Sequence, residues 1–425
     1  MMSKLAIKGG SPVRDVKTNP WPKWPVWDER EEKGLLEVLH SGIWSYNGPK
    51  EKEFNEAFAE FVGTQYALSA VNGTATLQLA LEACGIGYGD EVIVPGLTWQ
   101  ATAAAALDIN AVPVLVDVTE DTWCIDPAKM EEAITPRTRA IVPVHLYGSF
   151  ADMDVIMPIA KKHDLWVIED CAHKHGGQWK DKRAGSLGHI GSFSFQLSKL
   201  MTAGEGGALT TSDADLWEKL DALRNCGRRP EDDAEADKGA GIYGDEGNFI
   251  QSGNYRITDF QAAVLLEQLR RLPEQNKIRD ENAIYFNGQL AQIPGVMPIR
   301  RDERETAEAY FNFAFRYQHD EFMGLPAKTF HEALAAELGC PVEASYEPLN
   351  ACSLYTPYTK PWRHKLSNAH YERLDPQRFD LPVCTRVYEE GSVCLHHNVL
   401  MGTKADMDVM LEAIQKIYDN AGDLT

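Results

Sequence analysis

The chain has 425 residues, with 63 Asp+Glu against 42 Lys+Arg, giving a formal charge of −21. With 44 % apolar and 25 % charged residues it has globular composition and the length of two domains, or of one large domain with an appendage. So acidic a surface repels phosphate backbones and anionic headgroups, which argues against a nucleic-acid partner or a membrane-surface role.

The N-terminal stretch MMSKLAIKGGSPVR has no apolar segment and no cleavage site. No export signal is expected, and the location expected is cytoplasmic. Apolar stretches such as 102–107 and 140–144 are far too short to span a membrane. From residue 65 to 220 one theme repeats: a short β-rich run, a loop, then a helical stretch. Glu91–Pro95 (EVIVP) precedes a helix over Gln100–Ile109, and Val112–Val118 precedes one over Pro127–Ile134, with Asp126 as cap. Ala140–Leu146 leads to the amphipathic Met153–His163, and Leu165–Asp170 (LWVIED) follows. Near-continuous Val/Ile runs between helices predict a mostly parallel sheet covered on both faces.

After Gly191–Phe195 a strand is expected over Gly206–Thr211 and a helix over Asp213–Asn225. The charged, aperiodic 227–248 reads as a long exposed loop. Thr258–Arg271 has helical periodicity, and Pro273 with the charged run around Asn276–Glu281 is expected to form a hinge helix into a C-terminal domain. The eight cysteines show no C-x-x-C pair and no zinc-finger grouping with histidine, so reduced thiols and no metal site are expected.

Four features carry candidate chemistry, and each also fits a plain structural role. Lys199 follows the run SFSFQLS and precedes the Gly-rich TAGEGG, where small residues permit close approach to a buried amine; an ordinary exposed lysine fits as well. Asp170 ends LWVIED, and strand carboxyl ends are where ligands bind in such sheets; it also fits a strand-terminating cap. Asn72-Gly73-Thr74 opens a helix expected over Ala75–Cys84, a geometry that suits an anion or a simple N-cap, with Ser194 as a second hydroxyl. Trp99, in the loop after EVIVP, offers a plane for stacking on a flat ring or a cover for core surface.

Their order along the chain resembles that of pyridoxal-phosphate enzymes with the aspartate-aminotransferase fold. More narrowly the chain resembles the DegT/DnrJ/EryC1/StrS family of sugar and cyclitol aminotransferases. The resemblance runs through LAIKGGSPVR, GDEVIVPGLTWQAT, PVHLYGSFADMD, VIEDCAHKHG, SFSFQLSKLMTAGEGG and GNYRITDFQAAVLLEQL. It implies an α/β, fold-type-I architecture: a seven-stranded, mostly parallel sheet in a large domain (1–272) and a smaller α+β domain (273–425). It also implies that Lys199 forms the internal aldimine with pyridoxal 5′-phosphate (PLP) and then moves protons. Family members with histidine in place of this lysine are dehydratases, so lysine favours transamination. Asp170 would pair with the pyridinium nitrogen and Trp99 would stack on the ring. Gly73, Thr74 and Ser194 would hold the phosphate, with Asn254 reaching across from the neighbouring subunit of a homodimer.

One departure is His173, where the family commonly has a glutamine that contacts the cofactor's phenolic oxygen. The 3-amino-5-hydroxybenzoate synthases share this histidine, which keeps an aromatising lyase as an alternative. The ending SVCLHHNVLMG resembles the glutamine:scyllo-inosose and 2-deoxy-scyllo-inosose aminotransferases. The resemblance thus implies glutamine or glutamate as donor and a keto-cyclitol or keto-sugar as acceptor, with a nucleotide-linked keto-sugar as a further alternative. His396 or His397, Tyr346, Trp44 and Tyr46 are candidate substrate contacts. His145 is expected to be structural, an inner-strand histidine satisfied by backbone.

Overall fold

The computed structural model of the chain describes residues 4–46, 48–228, 249–360 and 366–425. Of the expected loop at 227–248, only Gly227 and Arg228 fall among them; the remainder lies outside the described residues.

Two helices come first, α1 (Glu29–Ser41) and α2 (Pro49–Val62). Asp28 caps α1 in a capping box with Glu31, and Pro49 opens α2 where a missing N–H costs nothing. Next come β1 (Tyr66–Ala70), α3 (Gly73–Ala83), β2 (Glu91–Pro95), α4 (Ala101–Asp108), β3 (Val112–Val116) and α5 (Pro127–Glu132). They are followed by β4 (Thr138–Ile141), α6 (Met153–Lys162), β5 (Trp166–Asp170) and the short β6 (Gln178–Trp179) and β7 (Lys182–Arg183). β8 (Ile190–Ser194), β9 (Gly207–Thr211) and α7 (Ala214–Arg224) complete this part.

Seven of these strands form one sheet in the order β1-β9-β8-β5-β4-β2-β3. β9 is antiparallel to both neighbours, and every other pairing is parallel. The mostly parallel sheet expected from the Val/Ile runs is present, and β2 and β3 are buried along their whole length. The strand expected over 140–146 stops at Ile141, and Val144 returns only as an isolated bridge to Asp170. Pro143 between them has no N–H to give a ladder. The carboxyl ends of β1, β2, β5 and β8 all lie along one edge, because β9 reverses direction twice over.

The long helix α8 (Asp259–Leu290) runs unbroken through Pro273, past the Arg271 end read from periodicity, and the expected 272/273 boundary falls inside it. A proline in a helix interior forfeits a backbone hydrogen bond. Burial of both halves offsets that loss: Leu265, Leu269 and Leu272 join a core with α2 and β8, whereas Ala283, Phe286 and Leu290 join the C-terminal core.

That second core is built on a three-stranded sheet of β10 (Val296–Pro298), β12 (Asn312–Tyr317) and β13 (Ser392–His396), while β11 (Glu305–Ala307) pairs with β6. Helices over Ala327–Leu338 and Lys404–Asp419 cover it. Leu5 enters this core and Arg14 reaches Asp406 at 2.7 Å. The segment from Leu5 to Arg14, expected with the large domain, therefore packs on the C-terminal unit. Conversely, Phe311, Leu349, Leu381 and Cys384 belong to the core of the parallel sheet. Among the described residues no helix is long and apolar enough to cross a membrane.

Phe58 on α2 is fully buried, stacked on Phe54 at 5.4 Å and edge-on to Phe193 and Phe195 at 5.0 and 5.7 Å. Phe58→Ala is expected to cost about 3–5 kcal/mol, read as a lowered midpoint in denaturant unfolding followed by circular dichroism.

Candidate active site

A cavity of about 470 Å³ opens at the carboxyl edge of the sheet. Gly73, Thr74, Trp99, Asp170, His173, Ser194, Lys199 and Tyr346 all line it, so eight of the residues singled out from sequence meet in one place.

The floor is set by α3, which starts at Gly73, earlier than expected. Asn72 caps it by accepting from the backbone N–H of Ala75 at 2.8 Å. The N–H groups of the first turn have no intrahelical acceptors and favour an anion. A Cβ at Gly73 would stand 2.7 Å from the Ser194 Cβ, so only glycine brings this helix end so close to β8. Behind it Thr76 and Ser192 join hydroxyls at 2.7 Å.

Asp170 ends β5 and is 6 % exposed. Thr102 donates to its Oδ2 at 2.9 Å, and the Ala172 N–H to its Oδ1 at 3.2 Å. Burial pushes this carboxyl above its ordinary range, against those bonds and the nearby Lys199. Lys199 is equally withdrawn from water, and burial lowers its amine to about 8 while Asp170 opposes the shift. Its Nζ stands 3.9 Å from the centre of the Phe311 ring, whose face attracts the charged form.

His173 stacks on the same Phe311 at 4.0 Å with 26° between planes, and its Nε2 lies 3.2 Å from the Tyr346 hydroxyl. Burial, and then the charges of Lys199 and His175, hold His173 well below the ordinary imidazole value, so the ring is neutral. Its Nδ1 is buried with no hydrogen-bond partner. The Tyr147 hydroxyl accepts from the Tyr346 N–H at 2.9 Å, which fixes the segment carrying that ring. Trp99 stands half-exposed, 5.8 Å from Tyr346.

Five expected residues are absent from the cavity lining. Asn254 is exposed, bridges to Asn225 and accepts from the Arg256 N–H at 3.1 Å. Trp44 is half-exposed beside Phe260, and the Tyr46 hydroxyl accepts from Arg228 at 2.9 Å. His396 contacts Asn398 at 2.9 Å, and His397 is buried against Trp24, with its Nε2 3.2 Å from the Ser198 carbonyl. β13 ends at His396 and the chain turns at once into a 3₁₀ turn, so the alternation expected of an extended run is lost.

His145 is structural but not through backbone alone: its Nε2 meets Glu169 at 3.0 Å, and its Nδ1 accepts from the Ala151 N–H. Cys171 approaches this pair closely enough to resemble a metal site. Glu169, however, is already engaged by the N–H groups of Gly185, Leu187 and Gly188. The sequence reading missed Thr102 and Phe311. Thr102 lies one helical turn after Trp99, a spacing that puts both near the same helix end. No local signal marks Phe311.

A strand-end aspartate and a buried lysine thus meet a helix start suited to an anion at one edge of a mostly parallel α/β sheet, the layout of an enzyme cavity. The chain matches the model of the DegT/DnrJ/EryC1/StrS aminotransferase family over residues 25–394 and belongs to that family. It is 43 % identical to the L-glutamine:2-deoxy-scyllo-inosose aminotransferase of Streptoalloteichus tenebrarius over 426 residues, 99 % of each chain. It is 41 % identical to the L-glutamine:scyllo-inosose aminotransferase of Streptomyces griseus over 436 residues, spanning both chains fully. Among solved structures it is similar to 3-amino-5-hydroxybenzoic acid synthase, with a TM-score of 0.80, 33 % identity, and coverage of 95 % of this chain and 99 % of that one.

The buried amine gives a direct test. In the protein without cofactor, the rate of Lys199 acylation by a small reagent should rise with a midpoint near pH 8, below the ordinary lysine value of 10.5. Asp170→Asn removes the charge that favours the ammonium form and should move the midpoint lower, read by peptide mass spectrometry across pH.

Proposed function

We propose that this protein transfers an amino group from L-glutamine or L-glutamate to the ring ketone of a cyclitol, using PLP, in aminocyclitol biosynthesis. The observation that carries this reading is full-length similarity to enzymes of that activity, joined to a cavity whose residues suit the cofactor. The fit rests on four features: a glycine held against β8 at a helix start, a buried carboxylate, a buried amine, and an orphan imidazole nitrogen. PLP supplies an electron-withdrawing ring that carries the amino group between the two substrates.

Gly73, Thr74 and Ser194 would hold the phosphate, and Trp99 would cover the ring face at the cavity mouth. Asp170, positioned by Thr102, would face the ring nitrogen, whose positive charge favours the carboxylate that burial opposes. Lys199, with a value near 8, exists partly as free amine at neutral pH, so its Nζ can accept a proton and return it. Lys199 is the one cationic side chain among the described residues lining the cavity, and Glu205 adds negative charge at the rim. That balance favours an uncharged polyol over a nucleotide-linked sugar.

A homodimer with shared sites belongs to the same proposal. Leu35, Leu36 and Leu39 of α1, with Ile43 and Trp44, are between 37 % and 51 % exposed and form an apolar face for a second copy. Asn254, exposed and outside its own cavity, would reach the partner's site with its side-chain amide. Light scattering should give the dimer mass, and Leu36→Asp with Leu39→Asp should shift it toward monomer.

Absorbance of the PLP-loaded protein should move from the visible edge to the ultraviolet on adding L-glutamine and return on adding scyllo-inosose or its 2-deoxy form, with an amino-cyclitol detected by mass. Lys199→Ala should lose on the order of 10²–10⁴ in rate. His173 favours one second reading, the aromatising lyase; loss of water from an aminocyclohexenone without any donor would replace the aminotransferase assignment.

A further inference from the structure

Three aromatic side chains surround His173. Phe311 stacks on it at 4.0 Å, the Tyr147 ring lies 5.6 Å away at a 32° tilt, and the Tyr346 hydroxyl meets Nε2 at 3.2 Å. Nδ1 alone has no partner, although the side chain is only 3 % exposed. A neutral imidazole has one N–H and one lone pair, and which nitrogen holds the proton follows from the bond the other makes. A phenol is a stronger donor than an imidazole N–H, and an imidazole lone pair is a stronger acceptor than a phenol oxygen. The contact at Nε2 is therefore O–H···N, with the tyrosine donating. The proton then sits on Nδ1, where a buried N–H without an acceptor carries a desolvation cost.

We propose that Tyr346 is a positioning residue that fixes the tautomer of His173, so that Nδ1–H is offered to an anionic ring oxygen bound in the cavity. The ring-oxygen half of this inference rests on the proposed function; the tautomer does not. It separates two residues that both line the cavity: His173 touches the ligand, and Tyr346 acts through His173. It also accounts for a histidine at a position where an amide would present N–H without help. The amide needs no tautomer, whereas the imidazole needs a partner that chooses one.

The tautomer is read in the protein without cofactor by long-range proton–nitrogen correlation, with the His173 signals identified by their loss in His173→Gln. Protonated-type Nδ1 and acceptor-type Nε2 signals are expected in the unsubstituted chain. Tyr346→Phe should raise the population with the proton on Nε2. A proton on Nε2 in the unsubstituted chain would overturn the proposal, as would an unchanged tautomer in Tyr346→Phe. For the second half, Tyr346→Phe should weaken PLP binding roughly 3–10-fold, the scale of one hydrogen bond. The same substitution made in His173→Gln should change affinity by less than about twofold, because the path through imidazole is gone. Equal effects of Tyr346→Phe in both backgrounds would overturn the positioning role. If the unsubstituted chain binds no PLP, the function proposed above fails, while the tautomer stands or falls on its own signals.

Discussion

Parallel pairing of β2, β4, β5 and β8 is the constraint on which the rest of the molecule depends. Parallel strands need long crossovers, so β2 and β4 each leave by a loop at the same edge before a helix returns over a face, and β5 leaves at that edge into the short β6 and β7. Residues far apart in sequence are thereby delivered to one crevice: Trp99 after β2, Asp170 at the end of β5, Lys199 beyond β8. The one antiparallel strand, β9, keeps that logic intact, because two reversals leave β1 parallel to β8 and put the start of α3 at the same edge.

The crevice is closed from the other half of the chain. Phe311 and Tyr346 come from beyond α8, yet they complete the wall against which Lys199 and His173 rest. This wall is braced by an ion cluster behind it. Lys174, next to His173, pairs with Glu308 and lies 3.7 Å from Glu305, and all three side chains are buried. Burial, which Lys174 opposes, keeps Glu308 well above the ordinary carboxyl range, and the neighbouring Glu305 adds to the shift. Such a cluster gains little stability for the charge it buries. It ties the His173 loop to the segment leading into Phe311, and that registration is its structural consequence.

Desolvation acts on Asp170 and Lys199 in opposite senses. It raises the Asp170 carboxyl and lowers the Lys199 amine, and each charge partly restores the other. The pair is a poor source of stability, since burial opposes the charged form of each. An amine near 8 exchanges protons at physiological pH, and a strained carboxylate is stabilised by a cation placed beside it. The long helix α8 supports this arrangement by lying in both cores, with Pro273 tolerated because both halves are buried.

The sequence by itself determined the strands and the motifs at their ends. Val/Ile runs such as Glu91–Pro95 are apolar along most of their length because both faces are covered, and the bounds of that strand were legible to a residue, whereas the run 140–146 was cut short at Ile141 by Pro143. Asn72-Gly73-Thr74 was legible as a helix start because strand-to-helix punctuation is local, whereas Asp170 and Lys199, weak signals alone, stood out through the order of features along the chain. Only the tertiary structure decided which residues complete the cavity. Phe311 and Thr102 have no local signature, and His396 and His397, prominent in sequence, turn away because β13 ends at the first of them. Tertiary burial also decided that α8 would continue through Pro273, where propensity favours a stop. Short-range chemistry writes punctuation into the chain, whereas packing between distant segments is a property of the folded whole and has no place in any single window of sequence.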